Sequence, residues 1–161
     1  MGMYTELVFD TELNMHKLPE FEKILRYMLG EGQDMTRTSL SLPFTLPDAP
    51  LFRSSARWEY MLRGSSVYFN GETHSELNVE EEYNLATLTV RCSLKNYSSE
   101  IENFLDWIRQ YDHVNWSSEY APEKVFKGYM RYIEDTHPTL IYFTKNGVEM
   151  VRIGEEMENC E

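Results

Sequence analysis

From Leu85 to Lys95 the chain alternates without a break: Ala86, Leu88, Val90, Cys92 and Leu94 are apolar, and Thr87, Thr89, Arg91, Ser93 and Lys95 stand between them. Successive side chains of an extended chain point to opposite faces, so this period specifies a strand with one wet face and one core face. The apolar face needs a partner layer. A second alternation runs from Tyr4 to Leu13, with Leu7, Phe9 and Leu13 on one side and Glu6, Asp10 and Glu12 on the other; Val8 breaks the pattern.

Each alternating segment leads into an amphipathic helix. Pro19 opens the first, where its missing N–H costs nothing, and Phe21, Ile24, Leu25, Met28 and Leu29 form one stripe at helical spacing. Gly30 is the stop, because glycine takes a left-handed cap without steric penalty. The second helix is expected to start at Ser99, with Glu102 three residues on completing a capping box. Its buried stripe is Ile101, Phe104, Leu105, Ile108 and Tyr111, with Trp107 at the edge.

The two helices echo each other. Phe21 to Met28 aligns with Ile101 to Ile108, apolar on apolar and aromatic on aromatic, at a period of about eighty residues. A duplicated unit produces such an echo, and so do two helices converging on the same amphipathic pattern. Either way the expected class is α+β: a mostly antiparallel sheet with both helices on one face, ferredoxin-like or a duplicated βαββ arrangement.

The remaining strands are shorter. Trp58, Tyr60 and Leu62 alternate before an Arg63-Gly64-Ser65 turn; Ser66 to Asn70 follows, ending in the turn dipeptide Asn70-Gly71, and His74 to Val79 is a further candidate. After a loop holding His113, Trp116 and Pro122 come Val125–Glu134, Thr139–Thr144 and Val148–Ile153, the last two joined by Lys145-Asn146-Gly147, read as a type I′ hairpin. Between residues 31 and 55, Pro43, Pro47 and Pro50 are interspersed with Leu42, Phe44, Leu46, Leu51 and Phe52. That density of proline excludes regular structure, and the hydrophobes mark an ordered loop rather than a linker. The expected organisation is one domain over residues 1–154 and an acidic tail over 155–161.

Composition narrows the function classes. The 161 residues are 42% hydrophobic and 14% aromatic, which excludes wholesale disorder, and two cysteines exclude a disulfide framework. No apolar run approaches the roughly 20 residues that span a bilayer, and no basic-then-apolar leader opens the chain. A soluble, cytoplasmic protein is expected, with no membrane partner. The net charge of −12 repels phosphate backbones, and no Lys/Arg cluster offsets it, so direct nucleic-acid binding is not expected.

The stretches Arg91-Cys92-Ser93-Leu94-Lys95-Asn96-Tyr97, Phe104-Leu105-Asp106-Trp107-Ile108, and Gly128-Tyr129 through Pro138-Thr139-Leu140-Ile141-Tyr142 resemble a group of uncharacterised small bacterial and bacteriophage proteins. The similarity covers the C-terminal half. It implies a phage or prophage setting and assigns no functional residues.

Chemical motifs are missing. His16, His74, His113 and His137 stand far apart, and no zinc spacing of Cys and His occurs, so no metal is expected. There is no phosphate-binding glycine loop and no Gly-x-Ser-x-Gly, and Cys92 falls on the core side of its strand. Glu134-Asp135 beside His137 reads as a solvated turn. No catalytic residue and no cofactor is assigned.

A recognition surface is the better candidate. The uncovered sheet face would show Asp10, Glu12, Thr87, Thr89, Arg91 and Ser93, joined from Val125–Glu134 by either Tyr129, Arg131 and Ile133 or Phe126, Met130 and Tyr132. A one-residue slip exchanges these sets. With the first set, Arg91, Tyr129 and Arg131 are the binding residues, since Tyr and Arg anchor interfaces through large contact areas with polar ends. The expected function is non-enzymatic binding and inhibition of a basic host protein. The competing readings are a small enzyme or ligand binder acting on a nucleotide or nucleic acid, and a homodimer closing sheet on sheet.

Overall fold

A computed structural model of the chain describes residues 3–15, 19–31, 42, 44–53, 56–63 and 75–153. Among these, six strands and four helical segments follow in the order β1 (Tyr4–Asn14), α1 (Pro19–Leu29), α2 (Pro50–Arg53), a 3-10 turn (Ala56–Glu59), β2 (Glu76–Glu80), β3 (Leu85–Lys95), α3 (Glu100–Arg109), β4 (Lys124–Tyr132), β5 (Thr139–Thr144) and β6 (Gly147–Arg152). The strands form one sheet in the order β2-β3-β1-β4-β5-β6, and every pairing is antiparallel. The α+β class and the antiparallel sheet expected from the alternation are present.

Long alternation fixes the centre of this sheet. All eleven residues of β1 pair with the eleven of β3, from Tyr4↔Lys95 to Asn14↔Leu85. Leu7 therefore lies opposite Cys92, Phe9 opposite Val90 and Leu13 opposite Ala86, and all six side chains are buried. The helices lie over this apolar face. The Phe9 ring meets the Phe104 ring of α3 edge-on at 6.1 Å, and α3 meets α1 where Phe21 packs on Trp107 at 5.4 Å and stacks on Tyr111, just past the helix, at 3.9 Å. Trp107 is not an edge residue but 2% exposed, enclosed by Phe21, Phe52 and Tyr111.

Three local expectations are corrected. Trp58, Tyr60 and Leu62 do not form a strand: Ala56–Glu59 is a 3-10 turn followed by further turn residues, and the buried apolar side chains are Trp58, Met61 and Leu62. That spacing is i, i+3, i+4, the helical one, and the exposed Tyr60 falls outside it. The proline-rich loop holds a single helical turn at Pro50–Arg53, which buries Leu51 and packs Phe52 against Trp58 and Trp107 on the helical side. The β5–β6 hairpin closes through Lys145-Asn146, yet Asn146 has no positive φ; Gly147 carries it at +134°, so the turn is not type I′. The Ser66–Asn70 strand, the Asn70-Gly71 turn, most of the loop from residue 32 and the tail 155–161 lie outside the described residues.

The capping box at α3 is also not formed. Ser99 makes no side-chain cap bond. Glu100 accepts from the Ser98 N–H at 2.6 Å and pairs with Arg57 at 3.2 Å.

Candidate protein-binding face

Alternation places Glu6, Val8, Asp10 and Glu12 of β1 on the side of the sheet away from the helices, together with Thr87, Thr89, Arg91 and Ser93 of β3. Register then decides which residues of β4 join them. Val8 pairs with Arg91 on one side and with Tyr129 on the other, and Glu6 pairs with Ser93 and Arg131. All three residues expected to bind, Arg91, Tyr129 and Arg131, are thus neighbours on one face. Continuing outward, Tyr129 pairs with Leu140 and Leu140 with Val151. One row across five strands reads Arg91, Val8, Tyr129, Leu140, Val151.

The two alternative sets for β4 turn out not to be exclusive. The β4–β5 register shifts between Phe126 and Gly128, which is a β-bulge, so Phe126 and Tyr129 face the same way although three positions apart. Phe126 is 54% exposed and lies edge-on to Tyr142 at 5.6 Å, and the Lys124 ammonium sits 4.6 Å from the Tyr142 ring centre. Met130 and Tyr132, by contrast, pair with Leu7 and Thr5 and face the helical side.

A buried ion pair sits at the bulge. Its extra residue, Lys127, turns inward, and its Nζ lies 3.4 Å from Oδ1 of Asp112 and 5.4 Å from the Phe143 ring centre. Asp112 is 1% exposed and also accepts from Trp116 Nε1 at 2.9 Å and from the Thr11 hydroxyl. A charge so deep is tolerable only when paired and hydrogen-bonded. Gly128 follows at φ +147°, with β1 so close that a Cβ there would lie 2.0 Å from the Val8 carbonyl oxygen. The one trace of this cluster in the sequence is a lysine set between Phe126 and Gly128.

The electrostatics of the face are internally matched. Arg91 grips Asp10 with both ends of its guanidinium, Nη1–Oδ1 at 3.2 Å and Nη2–Oδ2 at 3.0 Å. Arg131 lies 3.9 Å from Glu6. Burial pushes the Glu6 carboxyl above its usual range, and Arg131 and Arg91 pull it back only in part. Arg91, held at both ends by Asp10, is poorly disposed to take a phosphate, and that argues against the nucleotide alternative.

The face is therefore divided. The β2–β3 side shows Thr87, Thr89, Glu76 and Asn78, while the β4–β5–β6 side shows Phe126, Tyr129, Leu140, Tyr142 and Val151. The residues of β5 and β6 were not singled out from sequence, although a signal was there: in Thr139–Thr144 both alternating sets are apolar, which marks a strand with no polar face.

Other chemistry is sparse. His113 lies 3.6 Å from Glu12 and His137 is exposed; His16 and His74 are outside the described residues. Among the described residues no group of three or more His, Cys, Asp or Glu could hold a metal ion. No described helix is long and apolar enough to cross a membrane. No protein-family model, no curated protein and no solved structure matches the chain.

Proposed function

We propose that the protein is a non-enzymatic binding protein that occupies a partner protein through the β4–β5–β6 half of its open sheet face. The observation that carries this reading is the aromatic and aliphatic patch formed by Phe126, Tyr129, Leu140, Tyr142 and Val151 on the side away from the helices. Contiguous apolar surface of this kind, rimmed by polar groups, marks interaction sites. Tyr129 joins the patch to β1, between Val8 and Leu140, and a tyrosine is among the residues in which binding energy concentrates.

The rim selects the partner's charge. Glu149, opposite Tyr142, borders the patch, Glu6 and Asp10 are paired with Arg131 and Arg91, and the whole chain carries −12. A second copy would bring the same net negative charge against itself, whereas a basic protein meets it with complementary charge. Inhibition follows if the occupied surface is the partner's own working site. The resemblance to bacterial and bacteriophage proteins is the reason for taking that partner to be a host protein.

The same reading extends to the fold. The partial order β4-β1-β3-β2, with a helix in each of the β1–β2 and β3–β4 connections, supports reading these four strands as a ferredoxin-like unit to which β5 and β6 add a hairpin. That hairpin supplies the apolar half of the open face.

Affinity capture from host lysate with the wild type and Tyr129→Ser, at low and high salt, tests the function. The expected result is a protein retained by the wild type at low salt and lost both at high salt and in the variant, with affinity reduced roughly thirtyfold. Retention unaffected by Tyr129→Ser, or a wild type that light scattering shows to be a dimer through this face, contradicts the reading.

A further inference from the structure

The sheet ends at β6, whose outer edge carries few of the features that discourage strand pairing. Gly147 to Arg152 pair with β5 in unbroken register. The strand holds no proline, no lysine and no bulge, devices that ordinarily blunt an exposed edge. Its two-residue connection closes Thr144 against Gly147, so the ladder bonds to β5 come from Gly147, Glu149 and Val151. The N–H and C=O groups of Val148, Met150 and Arg152 point the other way, and no described residue pairs with them. Of the two charged side chains, Arg152 lies 3.8 Å from Asp135, whereas Glu149 is exposed and no described cation is bonded to it.

This edge borders recognition surface on both sides. On the open side Glu149 and Val151 lie opposite Tyr142 and Leu140, at the margin of the apolar patch. On the helical side Val148 and Met150 are half-buried, opposite Phe143 and Ile141. Beside Met150 and Arg152 lies a groove of about 720 Å³, whose other walls include Met130 and Tyr132. Methionines adapt to irregular apolar side chains. A strand laid along β6 turns alternate side chains to the patch and to this groove.

We propose that an extended segment of the basic partner adds to β6 as a seventh, antiparallel strand. The proposal rests on the reading that this half of the sheet meets a partner protein, and it specifies how. Main-chain bonds to Val148, Met150 and Arg152 hold the segment, and side-chain contacts select it. A lysine or arginine belongs opposite Glu149, the strand's one carboxylate, and apolar residues belong opposite Val148, Met150 and Val151. A second copy of β6 is a poor occupant. Its arginine faces the other side of the sheet from Glu149, and the net charge of −12 opposes the pairing.

Amide hydrogen exchange by NMR on the full chain tests this, with the acetylated and amidated peptide Thr-Val-Val-Lys-Val-Thr as probe. Antiparallel register sets its lysine opposite Glu149 and its valines opposite Val148, Met150 and Val151. The expected result is an alternation. The Val148, Met150 and Arg152 amides slow about tenfold or more at saturating peptide, while those of Glu149 and Val151, already bonded to β5, change little. N-methylation of the third and fifth peptide residues removes donors facing β6, keeps the side chains, and should abolish the protection. Glutamate in place of the peptide's lysine should weaken binding about threefold or more. In the protein, Met150→Pro deletes one outward donor without touching the β5 ladder, and should lose binding that Met150→Ala retains. No protection, protection without alternation, equal binding of the N-methylated or glutamate peptide, or an edge already protected in proportion to protein concentration overturns the proposal. The wild-type comparisons decide even if Met150→Pro fails to fold. The peptide does not depend on Tyr129, so its failure removes strand addition while the Tyr129→Ser capture experiment still judges the open face.

Discussion

At Gly128 one missing side chain holds two strands together. Its φ of +147° and the 2.0 Å approach of the Val8 carbonyl leave no room for a Cβ. Gly128→Ala is expected to cost about 3 kcal/mol or more in urea unfolding. Gly147→Ala, where φ is also positive but nothing lies within 4 Å, should cost only about 1 kcal/mol of backbone strain. Equal losses at the two positions would show that close approach is not what requires Gly128. Cys92 makes a second test at this scale. Burial pushes its thiol up to about 12, so thiolate is scarce at mild alkaline pH. Iodoacetamide should leave the Cys92 peptide unmodified in the native protein and label it fully in urea; rapid native labelling would mean that the β1–β3 core face is open.

The bulged strand β4 links a buried charge to the candidate face. Lys127→Ala leaves Asp112 enclosed without its cation and is expected to cost about 3–5 kcal/mol; adding Asp112→Asn should recover part of that loss. Additive losses from the pair would deny the coupling. In α3, Ser99→Ala should change stability by no more than about 0.3 kcal/mol, because its hydroxyl caps nothing, while Glu100→Ala should cost about 1 kcal/mol. These elements show what could be read in advance. β1, β3, α1 and α3 were legible because each obeys one period over ten or eleven residues. Trp58 to Leu62 was misread because alternation over five residues is also compatible with a helical turn. Arg91, Tyr129 and Arg131 came together as expected, since register follows from the apolar pattern. Phe126 joined them through a bulge at a buried pair whose members stand fifteen residues apart, which no local period encodes.

Across the whole molecule, acidity and burial act in the same direction. Glu6, Glu102 and Asp106 all have carboxyl groups raised above their usual range, burial being the largest cause in each. A carboxyl whose pKa is higher folded than unfolded adds stability that is complete below the unfolded value and lost as pH rises through the folded one. Protonation also relieves the self-repulsion of −12 charges. Thermal melts should therefore give a higher Tm at about pH 5 than at about pH 8; a Tm that falls steadily on acidification contradicts this. The raised Cys92, Tyr97 and Tyr111 follow the same sign at the other end. Their contribution is complete below the unfolded values and lost as pH climbs past them, for Cys92 between 9.0 and about 12.

The division of the open face into an apolar half and a polar half can be read directly by photo-crosslinking. A benzophenone amino acid placed at Tyr129 and, separately, at Thr87 would be irradiated in host lysate at low and at high salt. One host-protein adduct from position 129, absent from position 87 and suppressed by salt, is the predicted outcome. Equal adducts from both positions, no adduct from 129, or an adduct with a second copy of the chain would contradict it.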